Sequence, residues 1–151
     1  MTIKQLSIFL ENKTGRINDV TTVLGKNGIN MQAFSMAEAA DFGILRLIVS
    51  EVDRALELLK ENNFAVKVTD VVCIRCSNTA GSLASVLEKL AEKEIFIEYM
   101  YAFADGDFAN IVIFCSASSI YLLQRPASLT PSSYNLTAES NPSAEFSSFS
   151  A

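Results

Sequence analysis

The chain writes one short unit twice, in the same order and with one fixed spacing, so it can adopt only folds that residues 1–70 are able to complete and then repeat. Asn12-Lys13-Thr14-Gly15 returns 66 positions later as Asn78-Thr79-Ala80-Gly81. The same offset carries Val20 onto Val86, Leu24 onto Leu90, Ile29 onto Ile95, Asp41-Phe42 onto Asp107-Phe108 and Ser50 onto Ser116. No gap is needed between Asn12 and Ser50, and a register held that long indicates duplication rather than coincidence.

Within the first copy the periodicities change in a definite order. Ile3 to Glu11 alternates, with Leu6, Ile8 and Leu10 on one face, as a half-buried strand does. Asn12 to Gly15 is then a turn, with Thr14 as the expected N-cap of a helix running to Lys26; Ile17, Val20, Val23, Leu24 and, in the last turn, Asn27 form its buried stripe and Gly28 stops it. Ile29 to Ala37 and Phe42 to Ser50 read as a hairpin turning at Glu38 to Asp41. Ser50 with Asp53 resembles a capping box, opening a helix whose inner positions are Val52, Ala55, Leu56 and Leu59; Asn62-Asn63 ends it, and Phe64 to Val68 is a fourth strand. The order β, α, β, β, α, β with right-handed crossovers predicts an α+β fold, a ferredoxin-like antiparallel sheet with both helices on one face.

Thr69-Asp70 reads as a minimal linker before the second copy, which starts as strand Val71 to Cys76, helix Gly81 to Lys93 and hairpin Ile95 to Ala104 with Phe108 to Ser116. There the repeat fails. Pro126 falls where Lys60 stands in the first copy, inside the expected last helix, and a proline there costs roughly 3 kcal/mol. The expected division is a complete unit over 1–70, a truncated unit over 71–116 lacking its regular last helix and strand, and a Ser/Pro-rich tail over 117–151. A second sheet without its last strand leaves an edge able to pair with another chain.

Composition removes several function classes. A net charge of −5 and a pI near 4.7 oppose binding to phosphate backbones or anionic lipid, so neither nucleic acid nor membrane is an expected partner. With no histidine, Ser-His-Asp and Cys-His nucleophile systems and His-ligated zinc are excluded. Three cysteines without a signal-peptide pattern at Met1 to Lys13 predict reduced thiols and a cytoplasmic location.

Asn12-Lys13-Thr14-Gly15-Arg16, an amphipathic helix and Gly28-Ile29-Asn30, in this fold order and largely repeated, resemble the ACT domain family, small regulatory modules that bind amino acids. The likeness is greatest to free-standing tandem ACT proteins without a catalytic domain. It implies a non-catalytic sensor without cofactor or metal, its ligand a free amino acid held between the first loop of one unit and the second strand of its neighbour. Carried over, the binding positions are Asn12, Lys13, Thr14, Gly15 and Asn30, with Asn78 and Gly81 in the second copy, where Phe96 stands in place of Asn30. A homodimer, and a regulated enzyme acted on in trans, are the implied partners. The chemistry is apt: a glycine-ended turn lets main-chain amides approach a ligand, and a helix start offers N–H groups to a carboxylate.

Two other readings compete. A dimerisation module without ligand would use the same fold, and an acylphosphatase-like hydrolase would employ Arg16 and Arg46, although the loop is not a glycine-rich phosphate cradle. Cys73-Ile74-Arg75-Cys76 has a metal-carrier spacing, yet residues three apart on a strand face opposite ways. Phe96, Tyr99, Tyr101 and Phe103 are read as core or interface packing rather than a base-stacking surface.

Overall fold

Alternation along β1 (Thr2–Glu11) gives the sheet two unlike faces: Leu6, Ile8 and Leu10 are fully buried on one, while Gln5, Ser7 and Phe9 lie on the other. The computed structural model describes residues 1–38, 42–116, 119, 120 and 123. After β1 come α1 (Arg16–Lys26), β2 (Met31–Glu38), β3 (Phe42–Val49), α2 (Val52–Glu61), β4 (Ala65–Ser77), α3 (Ser82–Glu92), β5 (Ile97–Asp105) and β6 (Phe108–Cys115). The strands form a six-stranded sheet in the order β2-β3-β1-β4-β6-β5, every neighbouring pair antiparallel. The architecture is α+β, two ferredoxin-like units in tandem; among the described residues after β6, Ser119, Ile120 and Leu123 are helical and none is in a strand.

The expected linker is absent from the fold. Thr69 and Asp70 lie inside β4, opposite Gln5 and Lys4 of β1, with a 2.8 Å ion pair from Lys4 to Asp70. The last strand of the first unit and the first of the second are thus one strand of 13 residues. Its side chains keep parity throughout: Val66 and Val68 pack in the first core, and Val72, Ile74 and Cys76 in the second. All three helices therefore cover one face of a shared sheet. The first core joins Leu6, Ile8, Leu45 and Leu47 to Val20, Leu24 and Leu59; the second joins Ile111 and Ile113 to Leu90 and Ile95. Ile120 and Leu123 pack against this second core, and the Ile120 amide donates to Ser116 O at 3.0 Å. The remainder of the expected tail lies outside the described residues, as do residues 39–41 of the hairpin turn.

The helix-free face closes on itself. Two strands stand between β1 and β5, a separation of about 14 Å in a flat sheet, yet Gln5 of β1 bonds directly to Tyr99 and Tyr101 of β5. Twist and coiling have brought the two halves together. A third apolar cluster fills the contact, with Ala33, Ile48, Val71 and Val112 buried and Ile3, Tyr101, Phe103 and Phe114 packed around them.

Candidate functional site

The two glycine-ended loops fold alike. Gly15 has φ 90°, ψ −13° and Gly81 has φ 88°, ψ −16°. Each glycine is the N-cap of the following helix: Gly15 O accepts from Asp19 N at 2.9 Å and Gly81 O from Ser85 N at 3.1 Å. Thr14 is not the cap expected of it, because the chain enters the helix through a left-handed residue that only glycine adopts without strain. Ser50 does not cap α2 either; Glu51 occupies that position, and the Ser50 hydroxyl instead accepts from the Asn30 amide at 3.1 Å. Gly15→Ala and Gly81→Ala are each expected to lower stability by roughly 1–2 kcal/mol through backbone strain alone, since neither new Cβ would meet a neighbour. Urea denaturation of the two variants measures it, and an unchanged midpoint would show that the loops relax freely.

Asn12, Lys13 and Thr14 are exposed on this loop, with Lys13 paired to Glu11 at 2.6 Å. That hydrogen bond and the Lys13 charge hold the Glu11 carboxyl below its usual range. Beside the loop, Met36 Cε lies over Gly43, where any Cβ would collide with it, and Asn12 Oδ1 stands 3.7 Å from that Cβ position. Glycine at 43 is what admits Met36 there. Phe34, on the same face of β2, is 67% exposed. The loop thus adjoins an apolar rim on the outer edge strand.

Asn30 is also exposed, but it is not near Asn12. The register places Gly43 opposite Leu10 and Glu38 at the Asn12 end of the sheet, and Val49 opposite Met31 at the Asn30 end. Those ends are about 20 Å apart at the usual rise along a strand. Asn78 lies at the end of β4, where its Nδ2 donates to Gly106 O at 3.4 Å and its amide to Asp107 O at 2.8 Å. Phe96 is 77% exposed. The predicted residues are therefore presented at the surface, and Asn12 and Asn30 are not assembled into one site within the unit.

Local sequence gave no sign of the polar group buried between the halves. Gln5 is fully buried; its Nε2 donates to Tyr99 Oη at 2.7 Å and to Ser7 Oγ at 3.3 Å, and its Oε1 accepts from Tyr101 Oη at 2.9 Å. Arg46 lies with its guanidinium carbon 3.9 Å from the centroid of the Tyr99 ring, whose other contact is Phe114 in a 5.0 Å stack. Burial, then the neighbouring Tyr99 and Cys73, push the Tyr101 hydroxyl far above its ordinary range, against a smaller opposing effect of Arg46. The alternation of Tyr99, Tyr101 and Phe103 on one face of β5 was the signal available for this contact.

The arginines of the hydrolase reading do not meet. Arg16 is on the helix side, ion-paired with Asp19 at 3.2 Å and stacked on Phe64 at 4.9 Å, in the wall of an open groove of about 420 Å³ between α1 and the end of α2. Arg46 is on the opposite face. Cys76 packs in the second core while Cys73 faces the other way, so the two thiols are split across the sheet.

Comparison with known proteins places this geometry. The family model for the ACT domain pair matches residues 1–119. A crystal structure of a protein from Bacteroides thetaiotaomicron is similar at 55% identity and TM-score 0.76, covering 82% of this chain and 88% of that one. The regulatory subunit of aspartate kinase from Thermus thermophilus, in its ligand-free form, shares the fold at 13% identity and TM-score 0.57, with 75% and 85% covered. That from Thermus flavus gives a TM-score of 0.56 at the same 13% identity, with coverage of 75% and 85%. No functionally curated protein matches the sequence.

Proposed function

The chain belongs to the ACT domain pair family, and from that premise we propose that it is a non-catalytic regulatory protein that binds a free amino acid where one copy meets another. The observation that carries this reading is the repeated loop: Gly15 and Gly81 hold the same left-handed conformation within a few degrees, each at a helix start and each exposed. Such a turn presents main-chain amides to a carboxylate, and the asparagine before it can both donate and accept.

The separation of Asn12 from Asn30 determines what else is required. Antiparallel pairing of two β2 edges reverses one copy against the other and sets the Asn30 end of each beside the Asn12 loop of its partner. Exposed Phe34 and Met36 then line the space between them. A ligand at that position stabilises the paired state, because it binds that state better than the separate one. The partner enzyme acted on in trans would recognise the paired form. A cytoplasmic setting accords with this function, and no helix among the described residues is long and apolar enough to cross a membrane.

Thermal unfolding against each of the twenty amino acids, in wild type, Asn12→Ala and Asn30→Ala, tests the proposal. A ligand at 100 times its dissociation constant stabilises the folded state by roughly 2.7 kcal/mol, a shift of several degrees. One amino acid should give that shift, and both substitutions should abolish it. No shift with any of the twenty would leave a dimerisation module in which the loops are turns only.

A further inference from the structure

Four arginines are described, and three have a carboxylate: Arg16 with Asp19, Arg54 with Glu51, and Arg75 with Asp105. Arg46 has none among the described residues. No hydrogen bond from a guanidinium nitrogen is formed there either, and its Nε is buried without an acceptor. A guanidinium has five N–H donors, and one held half-buried against an aromatic ring with none of them used is poised for an acceptor from outside the chain.

Its neighbours point the same way. Ser35 of β2 and Ser7 of β1 stand directly opposite Arg46, and Lys67 of β4 stands opposite Ser7, all on the helix-free face. The row Ser35, Arg46, Ser7, Lys67 contains two cations, two hydroxyls and no carboxylate. Ser7 already accepts from Gln5, so its own proton is left to donate. In a chain of net charge −5, a donor row lacking a carboxylate is a local reversal of sign. The adjacent row is apolar: Ala37, Ile44, Phe9 and Ala65. Phe9 meets Phe42 at 5.9 Å, and both rings remain partly exposed.

We infer that this face carries a second binding site, in which Arg46, Ser7 and Ser35 hold the carboxylate of a small organic acid whose apolar body lies on Phe9 and Phe42. Lys67 adds charge at the rim, and Tyr99 walls the site on the side of the second unit. The acid has no ammonium group, because Glu11 and Asp105, carboxylates of this face, are already engaged by Lys13 and Arg75. Arginine is suited to the task, since its planar fork matches a carboxylate and stacking on a ring fixes its plane. The second unit has no equivalent: by the repeat offset Val112, Cys73 and Tyr101 stand for Arg46, Ser7 and Ser35. One site per chain follows. Its polar groups come from the middle of β1, β2 and β3 rather than from the loops, and binding here is separable from binding there.

Calorimetric titration of the full chain with 3-phenylpropionate, 3-phenylpropan-1-ol and phenylalanine tests the assignment. The acid is expected to bind saturably with one site per chain, and the alcohol not at all. Arg46→Gln should weaken the acid by roughly 10- to 100-fold, the range for charged hydrogen bonds, and Ser35→Ala by a few-fold. Asn12→Ala should leave the acid's affinity unchanged, and any binding of phenylalanine should be indifferent to Ser35→Ala. Absence of saturable binding by the acid overturns the site, as does equal affinity for acid and alcohol. Equal affinity in folded Arg46→Gln also overturns it; should that variant not fold, full affinity in both Ser35→Ala and Lys67→Met has the same force.

Discussion

Gln5→Ala is expected to destabilise the whole chain by roughly 2–4 kcal/mol, although it removes no charge and no large apolar group. The cost arises on the far side of the contact. Gln5 is fully buried and occupies both the Tyr99 and the Tyr101 hydroxyls, one as acceptor and one as donor. Truncation strands both between the two halves of the sheet and leaves a void beside them, and an orphaned buried hydroxyl costs about 1–3 kcal/mol. Gln5→Met fills the volume without the bonds and should recover only part of the loss. Tyr101→Phe in that background should then cost less than it does alone, because the hydroxyl it removes has already lost its partner. Urea midpoints of the four proteins give the coupling directly. A Gln5→Ala midpoint within about 0.5 kcal/mol of wild type would mean that water reaches the two hydroxyls and that the halves are not locked.

Val72→Pro is expected to cost more, at least roughly 3–5 kcal/mol. Val72 is the position at which β4 is flanked on both sides, by Thr2 of β1 and Ile113 of β6, so its amide faces a paired strand whichever way it points. Proline removes that donor. It also replaces a buried side chain of the second core. Hydrogen exchange should show amides of β5 and β6 losing protection first, since in the backbone ladder these strands are joined to those of the first unit only through β4. Protection of the Ile111 and Ile113 amides equal to wild type would show that the second half stands without it.

Much of this was legible because it is periodic. The alternation of Leu6, Ile8 and Leu10 gave the sheet face, the 3,4 spacing gave the helix stripe at Val20, Val23 and Leu24 but not at Ile17, which is exposed, and the offset of 66 gave the duplication. The continuity of β4 was legible too, but misread: Val66, Val68, Val72 and Ile74 keep one parity straight through Thr69-Asp70, and a true linker seldom conserves phase. Thr14 was misjudged as a cap because side-chain capping competes with a left-handed glycine, and the glycine prevailed. Gln5 could not be placed at all. Its partners are 94 and 96 positions away, and no window along the chain registers such a pair. The same holds for Arg46, whose surroundings come from four strands.

A single strand shared by two units has a mechanical meaning. Tandem domains joined by a flexible tether can reorient independently, and a signal in one must cross their contact surface to reach the other. Here β4 is a stiff beam of 13 residues built into both sheets, without a joint at Thr69-Asp70. A torque applied at one end, by a ligand that tightens the first sheet, leaves no swivel in which to dissipate, and the twist of the second sheet must answer it.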